Sequence, residues 1–197
     1  MGTDQRILEA ATALFSVKGY QGTSMREVAA AVGIKAGSLY NHFPGKEDLL
    51  FQIAHGVMVE LLEGGRAAIA GHADAAGRLR ALVRWHVVYH AEQRFRARVA
   101  DEQLHALGPE LRARAVEVRD EYTRLFKDIL VQGRDEDGWL VRDPSLITFA
   151  IGGMCTFVDT WYRDDGPLTP SEIAELYADF ILAALIAHDS SRSFAGS

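Results

Sequence analysis

Residues 23–50 read TSMREVAAAVGIKAGSLYNHFPGKEDLL, two short helical signals on either side of a turn. Ser24 and Glu27 have the spacing of a capping box, in which each side chain satisfies a free backbone N–H group of the other residue at a helix start. Gly33 follows an apolar stretch, and a glycine can adopt the left-handed conformation that closes a helix. We therefore predict a helix that begins after Ser24 and ends at Gly33.

A second, very short helix is predicted directly after this turn. Leu39 and Phe43 are four residues apart, so both side chains can face the core. The intervening Tyr40, Asn41 and His42 then point mostly outward. Two helices joined by a glycine-bearing turn, the second with exposed hydrogen-bonding side chains, are typical of a helix-turn-helix unit that reads DNA.

Length and charge are compatible with such a unit attached to a larger body. The chain has 197 residues, with 48% hydrophobic and 24% charged side chains, which is ordinary for a soluble protein. Its formal net charge of -6 lies entirely in residues 51–197, because residues 1–50 are neutral. A neutral end on an acidic body fits a protein whose DNA contact is confined to one end.

Several other classes of protein are disfavoured. The single Cys155 excludes an internal disulfide framework and a multi-cysteine zinc site. No N-terminal apolar run resembles a signal peptide, and no apolar stretch approaches the roughly 18–20 residues of a membrane span, so we expect a cytoplasmic protein without a membrane partner. Neither a glycine-rich phosphate loop nor a paired catalytic motif is present, so neither an enzyme nor a bound cofactor is expected.

Apolar residues recur at helical spacing along the chain, and no segment alternates with period two for long enough to predict a strand. The sequence therefore predicts an all-α fold of about nine helices. A three-helix helix-turn-helix domain occupies residues 1–46, a larger helical ligand-binding and dimerisation domain occupies 47–188, and a polar tail follows at 189–197. The predicted helices span about 4–18, 24–32, 36–43, 46–69, 79–99, a segment closing at 104–108, 110–133, 145–163 and 169–188.

Three connections are predicted from glycine and acidic residues. Gly64-Gly65 is expected to be a weak point or an end of the fourth helix. Residues 71–77 are expected to form a small polar link, and residues 135–138 to form a turn. Pro109 is well placed as the first residue of the helix that follows it.

Residues 14–50, LFSVKGYQGTSMREVAAAVGIKAGSLYNHFPGKEDLL, closely resemble the N-terminal domain of TetR/AcrR-type transcriptional regulators. The resemblance covers about residues 4–51. It includes the Phe-x-x-x-Gly-Tyr at the end of the first helix, the Thr-Ser cap and the Leu-Tyr-x-His-Phe-x-x-Lys-Glu run. It implies a homodimer that represses transcription from a palindromic double-stranded DNA operator and leaves that operator when a small molecule binds.

The same resemblance implies two sets of DNA contacts. Hydroxyl groups and helix-start amides can bind phosphate oxygens, whereas an Asn amide can bond adenine and a Lys can reach guanine. Thr23, Tyr40, His42 and Lys46 correspond to phosphate contacts, and Lys35, Ala36, Gly37, Ser38 and Asn41 correspond to positions that read base edges or the adjacent backbone. The Ser24 hydroxyl is added to the phosphate contacts for its chemistry.

The remainder of the chain resembles the effector domain of this family more weakly. The segment WYRDDGPLT at 161–169 is similar to one in several members, including regulators that sense acyl-CoA thioesters, so an acyl-CoA or another lipophilic metabolite is the expected effector. Arg94, Arg96 and Arg98 could receive a phosphate-bearing ligand or could form a solvated charged face. The predicted pocket residues, each also compatible with a plain core position, are Trp85, His86, Tyr89, Phe126, Leu130, Phe149 and Thr156.

The last two predicted helices suggest an assembly. The segment 145–163 is short of polar residues, and Gly152-Gly153 would let another helix approach closely. Half of an intersubunit four-helix bundle explains this pattern, and so does a buried central helix in a monomer. The predicted interface residues are Gly153, Phe157, Trp161, Tyr177, Phe180, Ile181 and Ala184.

Metal binding and a function without DNA remain as alternatives. His86 and His90 are four residues apart, a spacing that lets two side chains on one helix face share a metal, and Asp101 and His105 repeat it. Neither pair has a third ligand nearby in sequence, so no metal site is predicted. A helical adaptor that does not bind DNA would leave the outward side chains around Asn41 unexplained.

Overall fold

The computed structural model describes residues 2–186, and the regular structure in that range is entirely helical, so the predicted all-α class is confirmed. No helix in this range is long and apolar enough to cross a membrane. The predicted helix end at His188 and the polar tail 189–197 lie outside the described residues. The helices are α1 (Thr3–Lys18), α2 (Met25–Val32), α3 (Ala36–His42), α4 (Lys46–Ile69), α5 (Ala75–Glu92), α6 (Arg94–Gln103), α7 (Pro109–Asp137), α8 (Pro144–Thr156), α9 (Val158–Trp161) and α10 (Pro170–Ile186), with a 3-10 turn at Leu104–Ala106.

The first three helices form an N-terminal unit around one apolar cluster. α2 packs against both α1 and α3. Ile7, Val28 and Leu39, one from each helix, are completely shielded from solvent. Leu49 and Leu50 in the first turns of α4 are equally buried, and α4 also packs on α1. The first turns of α4 therefore complete the packing of the N-terminal unit.

α4 runs without interruption through the two glycines at which a weak point or an end was predicted. A Cβ atom at Gly64 would overlap the indole ring of Trp85 in α5. A Cβ atom at Gly65 would lie 2.8 Å from the Tyr122 ring in α7 and 3.0 Å from Leu82 in α5. The lack of side chains at Gly64 and Gly65 therefore lets α5 and α7 approach α4 closely, and it does not end the helix.

The region after α4 differs from the predicted helix bounds. Asp74 caps α5 by accepting a hydrogen bond from the Gly77 amide (2.7 Å), so that α5 begins at Ala75 and the predicted link 71–77 is shorter. The predicted helix 79–99 is two helices, because the chain leaves helical geometry at Gln93 (φ -101°, ψ 24°). The segment expected to close a helix at 104–108 contains a 3-10 turn instead.

Two further helices differ in extent. Pro109 opens α7 as predicted, but α7 continues through most of the expected turn to Asp137. Gly138 follows in the left-handed conformation (φ 70°, ψ 29°) and caps the helix. The predicted helix 145–163 is divided at Phe157 into α8 and the short α9. This division gives ten helices in residues 2–186, where about nine were predicted for the chain.

α5 is the central helix of the C-terminal part of the fold, because α4, α7, α8 and α10 all pack against it. Thr169 and Glu172 form a second capping box at the start of α10, in which the Thr169 amide donates to the Glu172 carboxylate (2.8 Å) and the Glu172 amide donates to the Thr169 hydroxyl (3.3 Å). Arg80 and Arg84 of α5 both donate to Glu175, which ties α10 to α5.

Candidate DNA-binding surface and effector cavity

The predicted capping box at the start of α2 is present. The Ser24 amide donates to the Glu27 carboxylate (2.8 Å), and the Glu27 amide donates to the Ser24 hydroxyl (3.3 Å). The Lys18 ammonium also donates to Glu27 (2.6 Å) and, together with the Ser24 hydrogen bonds, lowers the pKa of this exposed carboxyl to about 2. These contacts attach the end of α1 to the start of α2.

The turn between α2 and α3 depends on one left-handed glycine. Gly33 has φ 78° and ψ 31°, and its amide donates to the carbonyls of Ala29 and Ala30. The Ile34 amide also donates to Ala29 (3.0 Å), which satisfies carbonyls that the helix end would otherwise leave free. The chain then enters α3 through Lys35, in the arrangement expected of a helix-turn-helix unit.

α3 presents a set of polar groups to solvent. Leu39 and Phe43 are buried beneath it, as the four-residue spacing predicts, and Tyr40 is 51% exposed. Apart from His42, the exposed side chains make no hydrogen bond to another residue in the part of the chain that the structure describes, so their donors and acceptors are available. These side chains belong to Lys35, Ser38, Tyr40 and Asn41, with Gly37 exposed among them and Ala36 partly exposed beside them.

Three of the expected phosphate contacts are engaged within the N-terminal unit. Thr23 is buried (3% exposed), and its hydroxyl donates to the Gly19 carbonyl (3.0 Å), so this side chain lacks the expected exposed position. The Ser24 hydroxyl is occupied by the capping box. His42 is exposed, but its Nδ1 lies 2.6 Å from the Asp4 carboxylate.

Lys46 also has internal partners. Its ammonium donates to the carbonyls of Tyr20 (2.8 Å) and Thr23 (3.0 Å) and lies 4.4 Å from the centre of the Tyr20 ring. An ammonium has three N–H donors, so one remains for a phosphate oxygen. Lys46 therefore joins the loop between α1 and α2 to the start of α4 while it remains half-exposed.

A cavity of about 410 Å³ lies between α4, α5, α7 and α8, within the size range of small-molecule sites. It combines apolar side chains with a few polar groups. Four of the seven predicted pocket residues line it, namely His86, Phe126, Phe149 and Thr156. The lining residues that sequence reasoning did not identify include Met58, Leu61, His90, Asp101, Arg119, Asp120, Tyr122, Thr123, Thr148, Gly152 and Gly153.

His86 connects the polar side chains in the wall of this cavity through hydrogen bonds. Its Nδ1 lies 3.0 Å from the Tyr122 hydroxyl, and its Nε2 lies 3.0 Å from the Thr156 hydroxyl. Burial, and secondarily the neighbouring His90, hold the pKa of His86 well below its usual range. Burial likewise lowers the pKa of His90 to about 4, so both imidazoles are neutral at physiological pH.

The other three predicted pocket residues lie outside the lining of this cavity. Trp85 borders a separate depression with Arg84 and Val88, and its indole N–H donates to the Leu61 carbonyl (3.0 Å). Tyr89 is buried, with its hydroxyl donating to Glu60. Leu130 is completely buried in the core. Apolar character at helical spacing predicts burial for these positions but does not distinguish core from cavity wall.

The three arginines considered for a phosphate-bearing ligand already have partners. Arg94 pairs with Asp164 (2.7 Å), and Arg96 pairs with Glu60 (2.7 Å). Arg98 donates to the Asp159 carbonyl. Basic groups adjoin the cavity on α7 instead, where Arg124 and Lys127 line a depression of about 260 Å³ that shares Asp120, Thr123 and Thr148 with the cavity.

Large apolar side chains are exposed on α8, α9 and α10. Phe157 is 62% exposed and Phe180 is 65% exposed, whereas Ile181 is buried in its own chain and Tyr177 is half-buried. The prediction that Ile181 lies on an exposed interface is therefore wrong for this fold, because its side chain faces inward. The large exposed apolar residues of this face are Leu146, Phe149, Phe157, Trp161, Leu176, Phe180 and Ile186, and the predicted Gly153 and Ala184 are exposed with them.

Two family descriptions match the chain. Residues 7–53 match "Bacterial regulatory proteins, tetR family", and residues 72–185 match "Tetracyclin repressor-like, C-terminal domain". The second match alone covers more than half of the chain. The HTH-type transcriptional repressor KstR2 of Rhodococcus jostii (strain RHA1) is 30% identical over 189 residues, which cover 93% of this chain and 91% of the repressor.

Solved structures agree with these matches. A bacterial regulatory protein of the tetR family from Rhodococcus RHA1 has a TM-score of 0.88 and 30% identity, covering 94% of this chain and 97% of that one. AibR in complex with isovaleryl coenzyme A and operator DNA has a TM-score of 0.77 and 29% identity, covering 94% and 98% respectively. The helix-turn-helix geometry, the all-helical architecture and these similarities show that the chain belongs to the TetR family of DNA-binding transcriptional regulators.

Proposed function

We propose that this protein is a homodimeric repressor that binds a palindromic operator and is released by a small hydrophobic or acyl-CoA-type effector. The observation that carries the proposal is the exposed face of α3. Lys35, Ser38 and Asn41 present polar groups there that have no side-chain hydrogen bond within the described residues, above the completely buried Leu39. A short helix with such a face fits the major groove, where base edges differ in their donors and acceptors.

The exposed apolar face of α8, α9 and α10 supports the dimer. Large apolar side chains exposed on successive helices are favourable to bury against an identical surface related by a two-fold axis. Phe157 and Phe180 are the most exposed aromatics on the predicted interface. A two-fold dimer would present two copies of α3 to half-sites about one DNA turn apart, which matches a palindromic operator.

The cavity and its surroundings support the effector class. The apolar part of the cavity suits an acyl chain, whereas Arg124 and Lys127 in the adjoining depression suit the phosphates of a coenzyme A moiety. Coenzyme A is the carrier in the ligand of AibR, whose fold and length are similar. We infer that the thioester places its acyl chain between α5 and α8 and its phosphates against α7.

α4 offers a physical connection between the effector and the DNA. Met58 and Leu61 of α4 line the cavity, and Lys46 at the start of α4 holds the loop that joins α1 to α2. A single uninterrupted helix joins these positions, so a ligand that displaces α4 at the cavity would also displace the N-terminal unit. In a dimer, such a displacement changes the separation of the two α3 helices, which the half-site spacing tolerates poorly.

The DNA-binding proposal predicts a sequence-specific mobility shift with DNA from the protein's own upstream region. The shift is expected to weaken steeply as salt rises, because contacts to phosphates release counterions. Light scattering should give the mass of two chains for the free protein. A protein that shifts neither this DNA nor a site selected from a randomised duplex library would instead be a helical adaptor without DNA binding.

The effector proposal predicts that an acyl-CoA dissociates the complex of protein and DNA, whereas the same acyl chain as a free acid is much less effective. Arg124→Ala with Lys127→Ala should raise the acyl-CoA concentration required about tenfold, because two charge-assisted contacts to phosphate are lost. Arg134→Ala, an exposed arginine on the same helix paired with its neighbour Asp135, is the matched control. Release by free acids and acyl-CoA at equal concentrations would exclude the proposed phosphate contacts.

A further inference from the structure

Three side chains that are distant in sequence converge on one side of the effector cavity. His90 belongs to α5, Asp101 to α6 and Asp159 to α9. One ring nitrogen of His90 and one carboxylate oxygen from each aspartate all lie within 4.8 Å of one another. Metal–ligand distances of about 2.0–2.2 Å place pairs of ligand atoms about 3–4 Å apart, so a small adjustment of these side chains would let a single ion bind all three.

Burial distinguishes this cluster from an exposed acidic patch. His90 is 2% exposed and Asp159 is 5% exposed. The Nδ1 atom of His90 is buried and has no hydrogen-bond partner among residues 2–186. A buried polar atom without a partner is destabilising, so the His90 ring carries a nitrogen whose bonding an added ligand at this cluster could satisfy. Asp101 reaches solvent and lines the cavity, which provides a route of entry.

The nearby arginines do not neutralise the two carboxylates by direct contact. Arg98 donates to the backbone carbonyl of Asp159 rather than to its carboxylate. Arg119 has its ion-pair contact with the adjacent Asp120, at 3.9 Å. Among residues 2–186, Asp101 and Asp159 therefore place two carboxylates beside the His90 imidazole without a direct ion pair to Lys or Arg, an arrangement that an added cation would stabilise.

We propose that His90, Asp101 and Asp159 bind a divalent first-row transition metal ion, such as Zn²⁺ or Mn²⁺, in the wall of the cavity. The imidazole nitrogen favours a transition metal over Mg²⁺ or Ca²⁺, which prefer oxygen ligands alone. Three protein ligands would leave at least one coordination position, which water would occupy. The ion would join α5, α6 and α9, and so would stabilise the folded chain.

Calorimetric titration of the untagged, chelator-treated full chain with ZnCl₂ and MnCl₂ tests this proposal. The expected result is one ion per chain with micromolar or tighter affinity, and much weaker binding of MgCl₂. Asp101→Asn and Asp159→Asn should each reduce the affinity about 100-fold, because loss of a direct ligand costs at least as much as loss of a supporting residue. Asp128→Asn makes the same isosteric change at an exposed residue of α7, outside the cluster, and should bind as the wild type does.

Circular dichroism of the metal-free variants separates loss of a ligand from loss of the fold. If Asp159→Asn does not fold, Asp101→Asn at the exposed edge gives the same test. Crystals of the zinc-soaked wild type should show an anomalous peak between the three side chains. Absence of binding by the wild type, unchanged affinity in the folded Asp101→Asn variant, or a peak elsewhere only would each overturn the proposal. None of these measurements depends on DNA or effector binding.

Discussion

Alanine in place of Asn41 is expected to weaken operator binding about 100-fold and to remove the preference for one base pair in each half-site. The Asn41 amide is exposed on α3 and has no hydrogen-bond partner among residues 2–186, and a bidentate amide–adenine contact contributes about 1–3 kcal/mol of discrimination. A two-fold dimer carries the substitution twice, so that about 1.4 kcal/mol at each half-site gives about 100-fold in affinity. Fluorescence anisotropy with the selected operator and with single-base variants measures both effects.

Tyr40→Ala provides the contrasting case, because Tyr40 is the neighbouring exposed residue and is assigned to phosphate. This variant should weaken binding to all operator variants by a similar factor and leave the ranking of base preferences unchanged. Val17→Ala is a suitable control, since Val17 is 84% exposed and faces the groove between α1 and α6. The assignment of α3 would be wrong if Asn41→Ala bound every single-base variant with the affinities of the parent protein.

Gly64→Ala is expected to lower the free energy of unfolding by about 2–3 kcal/mol, although alanine normally stabilises a helix relative to glycine. The added Cβ would overlap the Trp85 indole, which packs across this glycine and donates to the Leu61 carbonyl on the same helix. The ring must move, and both the packing and the hydrogen bond are then weakened. Urea denaturation followed by far-ultraviolet circular dichroism measures the change.

Gly37→Ala is the matched control for this prediction. Gly37 is also helical, and nothing lies within 4 Å of an added Cβ. Its replacement should leave stability unchanged or raise it by less than about 1 kcal/mol. If Gly64→Ala were as stable as the parent protein, the contact between α4 and α5 at this position would be looser than the structure indicates.

The helix-turn-helix unit was predictable because its determinants are local. A capping box operates over three residues, and a left-handed glycine ends a helix through contacts within a few residues. Both are present at Ser24 and Gly33, and the four-residue spacing of Leu39 and Phe43 assigned the buried face of α3 correctly. The outward position of Asn41 follows from that assignment alone.

The bounds of the later helices were less predictable because neighbouring helices decide them. The interruptions at Gln93 and Phe157 occur at residues that carry no strong breaking signal, and they allow α6 and α9 to pack against each other. Two adjacent glycines favour the end of a helix, yet α4 continues through Gly64 and Gly65. Side chains of α5 and α7 pack in the space that larger residues at these positions would need. Intrinsic helix propensity is a weak determinant of where a helix ends when tertiary packing opposes it.

Tertiary structure also decided which groups bond to the polar side chains that the sequence predicted to be free for DNA or a ligand. Thr23 and Lys46 fit phosphate contacts by sequence, but the Thr23 hydroxyl and two of the Lys46 donors are bonded to backbone carbonyls of the loop between α1 and α2. The side chains of Arg94, Arg96 and Arg98 likewise donate hydrogen bonds to residues more than thirty positions away in the sequence. Sequence shows which groups can donate, whereas the partner depends on which chain segments meet.

The sequence by itself determined the all-helical class, the helix-turn-helix unit and the exposed face of α3, because each depends on interactions within one helix or one turn. Only the tertiary structure decided the cavity wall and the cluster of His90, Asp101 and Asp159. In the sequence, His90 is four residues from His86, and Asp101 is four residues from His105. Neither pair has a third ligand nearby in sequence. Folding brings His90 and Asp101 together with Asp159 from α9. The spacing of residues along one helix does not predict distances between side chains on three different helices.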